Sequence, residues 1–279
     1  MTYAPTAPPA ELRPRARFRD VAAAEWIKTR SLRSTPIAYA TTAFAVLAFN
    51  LGTAYDSVSH WSARNAADTA AFIGDGIPLQ HAYNGNAALV LMLALGALGA
   101  FTIVGEYATG TIRTTFAAVP ARSSVLGAKA AVLALVSTVF GLLLALASFY
   151  GTQAILGTKG AGIGLGDPGA LRIVLASALL APVSALAGLA LGALIRHTAT
   201  TMIAVVTVLL MLPIVLTDGR YLSALLGHAL PYQAWLRLAE PHYVSPQFGW
   251  TQSGAWTVYA VWALVSAAVA VVSVRRRDQ

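Results

Sequence analysis

Six long apolar runs dominate this chain, and polar or glycine-containing segments separate them. Each run holds about 18–26 residues, and about 20 residues of α-helix cross a ~30 Å hydrocarbon core. Backbone polar groups in lipid must be bonded within their own segment, which favours helices over the alternating strands of a β-barrel. The pattern therefore predicts an all-α integral membrane protein with six transmembrane helices, at residues 36–54, 87–104, 125–150, 171–195, 199–217 and 255–274.

Composition supports a lipid environment. Of the 279 residues, 57% are apolar and only 11% are charged, whereas soluble domains carry about 25% charged residues. The chain has no cysteine, which excludes disulfides and thiolate metal sites. Its net charge of +8 raises the question of a nucleic-acid partner, and the distribution of that charge along the chain answers it.

Basic residues alternate between the segments that join the six runs. Fourteen of the 19 lie in one alternating set: the N-terminal arm, the region after the second run, the link after the fourth run and the C-terminus. The other set holds five, together with six acidic residues. Because cytoplasmic loops are enriched in Lys and Arg, we expect a multi-pass protein with both termini in the cytoplasm. Topology thus explains the net charge, and no nucleic-acid partner is expected.

The N-terminal arm divides into two parts. Residues 1–16 are rich in Pro and Ala and are expected to be disordered, and residues 17–279 are expected to form a single transmembrane domain. Residues 17–34 predict an interfacial elbow helix on the inner leaflet. Its apolar arc contains Phe18, Val21, Ala22, Trp26 and Leu32, with interruptions at Glu25, Lys28 and Arg33 and with Arg30 turned away. The alternative is a soluble basic tail that only sets the topology.

The segment before the sixth run differs from the other outer loops. Residues 218–254 include two apolar stretches that are too short to span, which suggests extracellular or re-entrant helices. Four aromatic residues suit the outer headgroup zone: Trp235, Tyr243, Trp250 and Trp256.

Small residues recur every four positions in the fourth run, at Ser184, Gly188 and Gly192, and the second run carries Gly96 and Ala100. Such ridges let helices approach closely. They serve either packing within one subunit or contact with a second membrane subunit. Pro182 and Pro213 can kink the fourth and fifth spans, since each removes a backbone donor.

Catalytic and ion-coupling chemistry is missing from the sequence. The five histidines form no His-x-x-x-His or His-Glu-x-x-His pair, and there is no Gly-x-Ser-x-Gly. Proton- or ion-coupled carriers place ionisable residues inside their spans, and none lies centrally here. The chain also lacks the Gly-x-x-x-x-Gly-Lys-Ser/Thr loop that holds ATP. If the protein pumps, a separate ATPase must drive it, and the chain itself is expected not to be an enzyme.

The segment after the second run carries a recognisable motif. It reads Glu106-Tyr107-x-x-Gly110-Thr111-Ile112-Arg113, followed by Pro120 and Lys129. This resembles the corresponding segment of ABC-2-type permeases, the membrane subunits of ATP-driven exporters, especially bacterial multidrug and antibiotic exporters. Glu25-Trp26-x-Lys28-x-Arg30 also resembles the elbow helix that precedes their first span. The resemblance covers nearly the whole chain after about residue 18.

The resemblance implies a mechanical role for this segment. It implies a cytoplasmic coupling helix that docks in a groove of an ATPase subunit, with contributions from Glu106, Thr109, Gly110, Thr111, Ile112, Arg113 and Phe116. Arg113 would pair with an acidic rim of the ATPase, while Ile112 and Phe116 would fill its groove. Glu106 would contact either the elbow helix, at Lys28 or Arg30, or the ATPase. The alternative is that Glu106 and Arg113 are ordinary interfacial charges with local partners.

The resemblance also implies the assembly. ATP and Mg²⁺ would bind the partner ATPase, leaving no cofactor on this chain. A second permease copy or a sister permease would complete the transporter in the bacterial plasma membrane, and membrane lipid would surround it. The expected cargo is a hydrophobic or amphipathic compound: a drug or antibiotic, a peptide or a lipid. The alternative function is an ATP-independent membrane protein, either a secondary carrier or a scaffold.

Overall fold

A computed structural model describes residues 17–61, 66–216, 219–241 and 248–277. The predicted disordered tail, residues 1–16, lies outside the described residues. Helices make up most of the described chain: α1 (Phe18–Ser31), α2 (Ser34–Ser59), α3 (Ala66–Gly74), α4 (Ile77–Ala82), α5 (Gly85–Thr109), α6 (Thr111–Ala118), α7 (Arg122–Gly157), α8 (Ala170–Ile195), α9 (Thr198–Val206), α10 (Leu212–Val215), α11 (Tyr221–His228), α12 (Pro231–Ala239) and α13 (Gln252–Arg277).

Six segments of the described chain are long and apolar enough to cross a membrane. They are Ser34–Ser59, Ile77–Thr109, Arg122–Gly157, Ala170–Ile195, Thr198–Val215 and Gln252–Ser273. Each overlaps one predicted span, so the prediction of six transmembrane helices is confirmed. The second and third segments differ most from the prediction: Ile77–Thr109 and Arg122–Gly157 each extend the predicted span at both ends. Helix α1 and the short helix α6 lie at the positions predicted for the elbow and coupling helices.

The fourth span lies at the centre of the bundle. In its most apolar stretch, 89% of the residues are buried. Helix α8 packs against α5, α7, α9, α12 and α13. Its small residues allow a close approach to α5, since a Cβ added at Gly188 would overlap the carbonyl oxygen of Gly96 and one at Gly192 would meet Ile103. Ser184 is also fully buried. The ridge of Ser184, Gly188 and Gly192 therefore packs against α5 within the chain.

The fifth span is interrupted near its middle. Between α9 and α10, residues Thr207–Met211 form a π-helix that ends two positions before Pro213. Proline clashes with the carbonyl group four residues earlier, and a π-helical turn accommodates that clash. By contrast, α8 continues through Pro182 without a break.

One end of the bundle carries several basic residues, and we call it the basic end. It contains Lys28 of α1, Arg113 of α6, Lys129 of α7 and Arg196, which follows α8. The short helices α3, α4, α11 and α12 lie at the opposite end. There α11 and α12 confirm helices before the sixth span, whereas α3 and α4 lie between the first and second spans, where no helix was predicted.

Trp235 corrects one prediction about the opposite end. Its ring is 2% exposed, and its indole nitrogen donates a hydrogen bond to Ser177 Oγ of α8 at 3.0 Å. The residue thus anchors α12 in the core, instead of lying in an aromatic belt as predicted. Trp250 stacks on His228, with ring centroids 4.6 Å apart, and Tyr243 lies outside the described residues.

Candidate functional site

Four charged side chains converge at the basic end, and we call them the ionic cluster: Glu25, Lys28, Glu106 and Lys129. The Lys28 ammonium lies 2.7 Å from Glu25 Oε1 and 2.7 Å from Glu106 Oε1. The Lys129 ammonium lies 2.6 Å from Glu25 Oε2 and 2.8 Å from Glu106 Oε1. Each lysine bridges both carboxylates, so the cluster ties α1, α5 and α7 together with balanced charge.

The ionic cluster is mostly shielded from solvent. Glu25 and Lys129 are each 4% exposed, while the Lys28 side chain is 40% exposed. A buried charge is costly unless it is paired and hydrogen-bonded. The cluster meets this requirement for both lysines and for Glu25, although Glu106 Oε2 is buried with no hydrogen-bond partner in the described part of the chain.

Pairing shifts the ionisation of the two members that lie on α1. Burial alone would raise the pKa of Glu25, but the charges and hydrogen bonds of Lys129 and Lys28 lower it below its usual value. Burial alone would lower the pKa of Lys28, but hydrogen bonds and charge from Glu106 and Glu25 raise it. Both groups are therefore stabilised in their charged forms at neutral pH.

The local sequence explains how α1 contributes to the ionic cluster. Glu25 and Lys28 are one turn apart on the same helix face, and they follow Val21, which packs against Val125 and Ala128 of α7. Trp26, predicted with the elbow helix, lies on the outer side and is half-exposed, and Arg30 is exposed. Glu25 and Lys28, which interrupt the apolar arc, are thus the residues that dock the helix. One part of the apolar arc packs against the bundle, and the other part is exposed.

Gly110 sets the angle between α5 and α6. It ends α5 and begins α6 with φ = +73°, a left-handed conformation that glycine adopts without steric cost. The hydroxyls of Thr109 and Thr111 lie 2.6 Å apart across this turn. The Thr109 hydroxyl also donates to the Gly105 carbonyl at 2.9 Å.

Helix α6 has an inner and an outer face. Ile112 is 4% exposed and packs in the core of the bundle, and Phe116 is half-buried between that core and the contact of α1 with α7. Thr111, Arg113 and Thr114 are exposed. Ile112 and, in part, Phe116 therefore pack on their own chain, and that they fill a groove on another protein stays a prediction.

Only part of the ionic cluster was predictable from the sequence. A contact between Glu106 and Lys28 was one of the expectations, whereas Lys129 was recognised only as a member of the motif. The available signal was the position of Lys129 in an apolar helix, seven residues after Arg122, where a lysine needs a partner. Its side chain meets both carboxylates only because α1 and α5 pack on α7.

A second polar network, at the opposite end, was not predicted. The Asn50 side-chain nitrogen donates to Ser148 Oγ at 2.7 Å, and Ser148 in turn donates to the carbonyl of Ala82 at 2.7 Å. Gln153 donates to the carbonyl of Pro78 at 2.9 Å. These bonds fasten α4 to α2 and α7. In the described ranges, no group of three or more His, Cys, Asp or Glu side chains could hold a metal ion.

Comparison with known families gives one match. The family model described as ABC-2 family transporter protein matches residues 22–217. This range includes the whole ionic cluster, α6 and the first five spans. A search among curated proteins gives no match.

Proposed function

Because this chain belongs to the ABC-2 transporter family, we propose that it is the permease subunit of an ATP-driven exporter. In this proposal, a separate ATPase binds ATP and Mg²⁺, and the basic end faces the cytoplasm of a bacterial cell. The cargo is a hydrophobic or amphipathic compound that leaves the cell. A second permease copy or a sister permease completes the transporter.

The ionic cluster is the observation that supports this proposal best. A coupling helix must transmit its displacement to several spans. Helix α6 follows α5 directly through the Gly110 turn, and Glu106 lies on the last turn of α5. From Glu106, the two lysines connect α5 to α1 and α7. A force on α6 therefore reaches the elbow helix and the second and third spans together.

Within this proposal, the two faces of α6 have different roles. Arg113 and Thr114 are exposed and contact the ATPase, with Arg113 opposite an acidic side chain. Ile112 and Phe116 hold the helix to the bundle, and Thr109, Gly110 and Thr111 shape the turn. Glu106 acts behind the interface, through its lysine partners, and does not contact the ATPase.

The proposal is tested by reversing the charge of the outer face. The Arg113→Glu variant, expressed with its ATPase, should insert normally but retain less of that ATPase through affinity purification. It should also lose most substrate-stimulated ATP hydrolysis. Arg220→Glu is the matched control, because Arg220 is exposed near α11 at the opposite end. Wild-type ATPase retention and stimulation in Arg113→Glu would overturn the assignment of this face.

The same experiment addresses the class of protein. A permease should co-purify with an ATPase subunit. If the wild-type chain retains no ATPase under conditions that keep it folded, the proposed exporter role is wrong. Transport without ATP would then identify a carrier, and the absence of transport would identify a scaffold.

A further inference from the structure

The end of the bundle opposite to the basic end contains a cavity of about 610 Å³. It lies between α3, α4, the loop after α7 and the start of α8. Its apolar lining includes Ile73, Leu79 and Ile163, and the charged members of the described lining are Asp167 and Arg172. Cavities of about 300–1,000 Å³ with a mostly apolar lining and a few polar groups are typical of small-molecule sites.

Hydrogen bonds fix two walls of this cavity. The buried Gln153 side-chain nitrogen donates to the carbonyl of Pro78 at 2.9 Å, and its oxygen accepts from the backbone nitrogen of Ile163 at 3.1 Å. The Asp167 carboxylate accepts from the backbone nitrogen of Gly164 at 2.6 Å, which fixes the loop that carries it. A ligand therefore does not have to order these walls, which lowers the cost of binding.

Gly169 leaves space beside the arginine. It has φ = +88°, a conformation that glycine adopts without steric cost. A Cβ at this position would lie 3.1 Å from Leu79 Cδ1 and 3.6 Å from Arg172 Nη2. Any side chain here would therefore occupy the space between the apolar wall and the guanidinium group.

The Arg172 guanidinium has no partner among the described residues. Its Nε is buried and makes no hydrogen bond there, and no ion pair within the described chain joins it to Asp167. The charge of Arg237, which also acts on this group, has the same sign. Because a buried polar atom without a partner is costly, a negatively charged ligand group would relieve an unfavourable arrangement.

The pair of opposite charges selects the kind of ligand. An anion alone would also face the carboxylate of Asp167, and a cation alone would face Arg172. A molecule that carries both charges complements both residues. The apolar residues line the same cavity as the charges, so the part of the ligand between its charged groups should be apolar.

We propose that this cavity binds a short apolar peptide, with the ligand carboxylate at Arg172 and the ligand ammonium group at Asp167. A zwitterionic lipid headgroup has similar charges, but its acyl tails would lie outside the space that the headgroup fills. The cavity is at the far end of the bundle from α6. The proposal therefore requires neither an ATPase nor the permease function.

Isothermal titration calorimetry of the full-length chain in neutral detergent tests the proposal with the dipeptide leucyl-leucine. N-acetyl-leucyl-leucine lacks the ammonium group, and leucyl-leucine amide lacks the carboxylate. Leucyl-leucine should bind with saturation, and each blocked peptide should bind about tenfold more weakly, the effect expected for losing a charged hydrogen bond. Dioctanoyl phosphatidylethanolamine, the lipid probe, should bind more weakly than leucyl-leucine.

Two variants assign the two ends of the peptide. Arg172→Gln should abolish the preference for leucyl-leucine over its amide, and Asp167→Asn should abolish the preference over the N-acetyl form. Asp167→Asn keeps a side-chain oxygen that accepts from Gly164, so the loop should retain its structure. Lys159→Gln is the matched control, because Lys159 is exposed after α7 and does not line the cavity. If Arg172→Gln does not fold, Asp167→Asn decides.

Four results would overturn the proposal. Absence of leucyl-leucine binding to the folded wild-type chain would exclude the peptide site. Equal affinity for all three peptides would show that the two charges are not recognised. Stronger binding of phosphatidylethanolamine than of leucyl-leucine would assign the cavity to a lipid headgroup. An equal loss of affinity for all three peptides in a variant would show that the residue is structural and does not contact the terminal group.

Discussion

Lys129 is the residue whose role depends most on its surroundings. It is buried between Glu25 and Glu106, and its ammonium lies within 2.8 Å of an oxygen of each. Buried pairs are weak evidence of net stability, because desolvation offsets much of the attraction. Removing one partner is different, since the charges that remain are buried without compensation.

We predict that Lys129→Met lowers the free energy of unfolding by about 3–5 kcal/mol. The variant leaves two carboxylates facing only Lys28, whose side chain is 40% exposed. Reversible unfolding in mixed micelles measures the change. Lys159→Met is the control, because Lys159 is exposed after α7, and an equal loss in both variants would contradict the prediction.

A second prediction at the residue scale concerns acid. Because the folded-state pKa of Glu25 is lowered, its ionised form stabilises the fold above its usual pKa of 4.5. This contribution disappears as pH falls through the folded-state value. The stability difference between the wild-type protein and Glu25→Gln should therefore be constant near neutral pH and shrink below about pH 4.5.

Unfolding measured from pH 3 to pH 8 in both proteins checks this prediction, and a difference that grows in acid would refute it. Lys28 limits stability at alkaline pH. Its raised pKa means that its contribution is fully present below its usual value and is lost as pH rises through the folded-state value.

At the scale of elements, the turn between α5 and α6 determines where the proposed coupling helix lies. Two glycines five residues apart provide a matched pair. Gly110 has φ = +73°, whereas a Cβ added at Gly105, inside α5, meets nothing within 4 Å. The same substitution should therefore have opposite effects at the two positions.

We predict that Gly110→Ala destabilises the protein by about 1–2 kcal/mol, the cost of a left-handed residue, and reduces coupled transport. Gly105→Ala should stabilise it by about 0.5–1 kcal/mol, since alanine is favoured inside a helix. Unfolding free energies of both variants provide the measurement. Effects of the same sign on the free energy of unfolding in both variants would show that the left-handed turn at Gly110 does not determine stability.

Elements also show where sequence patterns succeed. The six spans were predictable because apolar length is a local property. The helix over residues 17–34 was predicted from its apolar arc, and the coupling helix followed from the resemblance. Pro213 explains why the helix is interrupted at Thr207–Met211, although only the structure shows that the interruption is a π-helix. Helices α3 and α4 were missed because packing on neighbouring helices overrides the turn preference of their Gly and Pro residues.

At the scale of the whole molecule, orientation is the main expectation to test. The chain has no native cysteine, so single cysteines can be introduced without a background. Thr114 on α6 and Thr158 after α7 are both exposed at opposite ends of the third span.

In intact cells, we predict that Thr158→Cys reacts with a membrane-impermeant maleimide and that Thr114→Cys reacts only after permeabilisation. The physical reason is the concentration of Lys and Arg at the basic end, which favours the cytoplasmic side. Cysteine-free wild-type protein controls for background labelling. Labelling of Thr114→Cys alone in intact cells would invert the topology.

The sequence by itself determined the lipid environment and the six spans, because these depend on local hydrophobicity. The motif that contains Glu106 and Lys129 was recognised by its resemblance to ABC-2-type permeases. The tertiary structure decided which charges meet. Glu25 and Lys129 are 104 positions apart, and only the packing of α1 on α7 brings them together. It also turned Ile112 inward and placed Leu79 and Arg172 in the lining of one cavity. No periodicity along the chain encodes such contacts, because they depend on how separate helices pack in space.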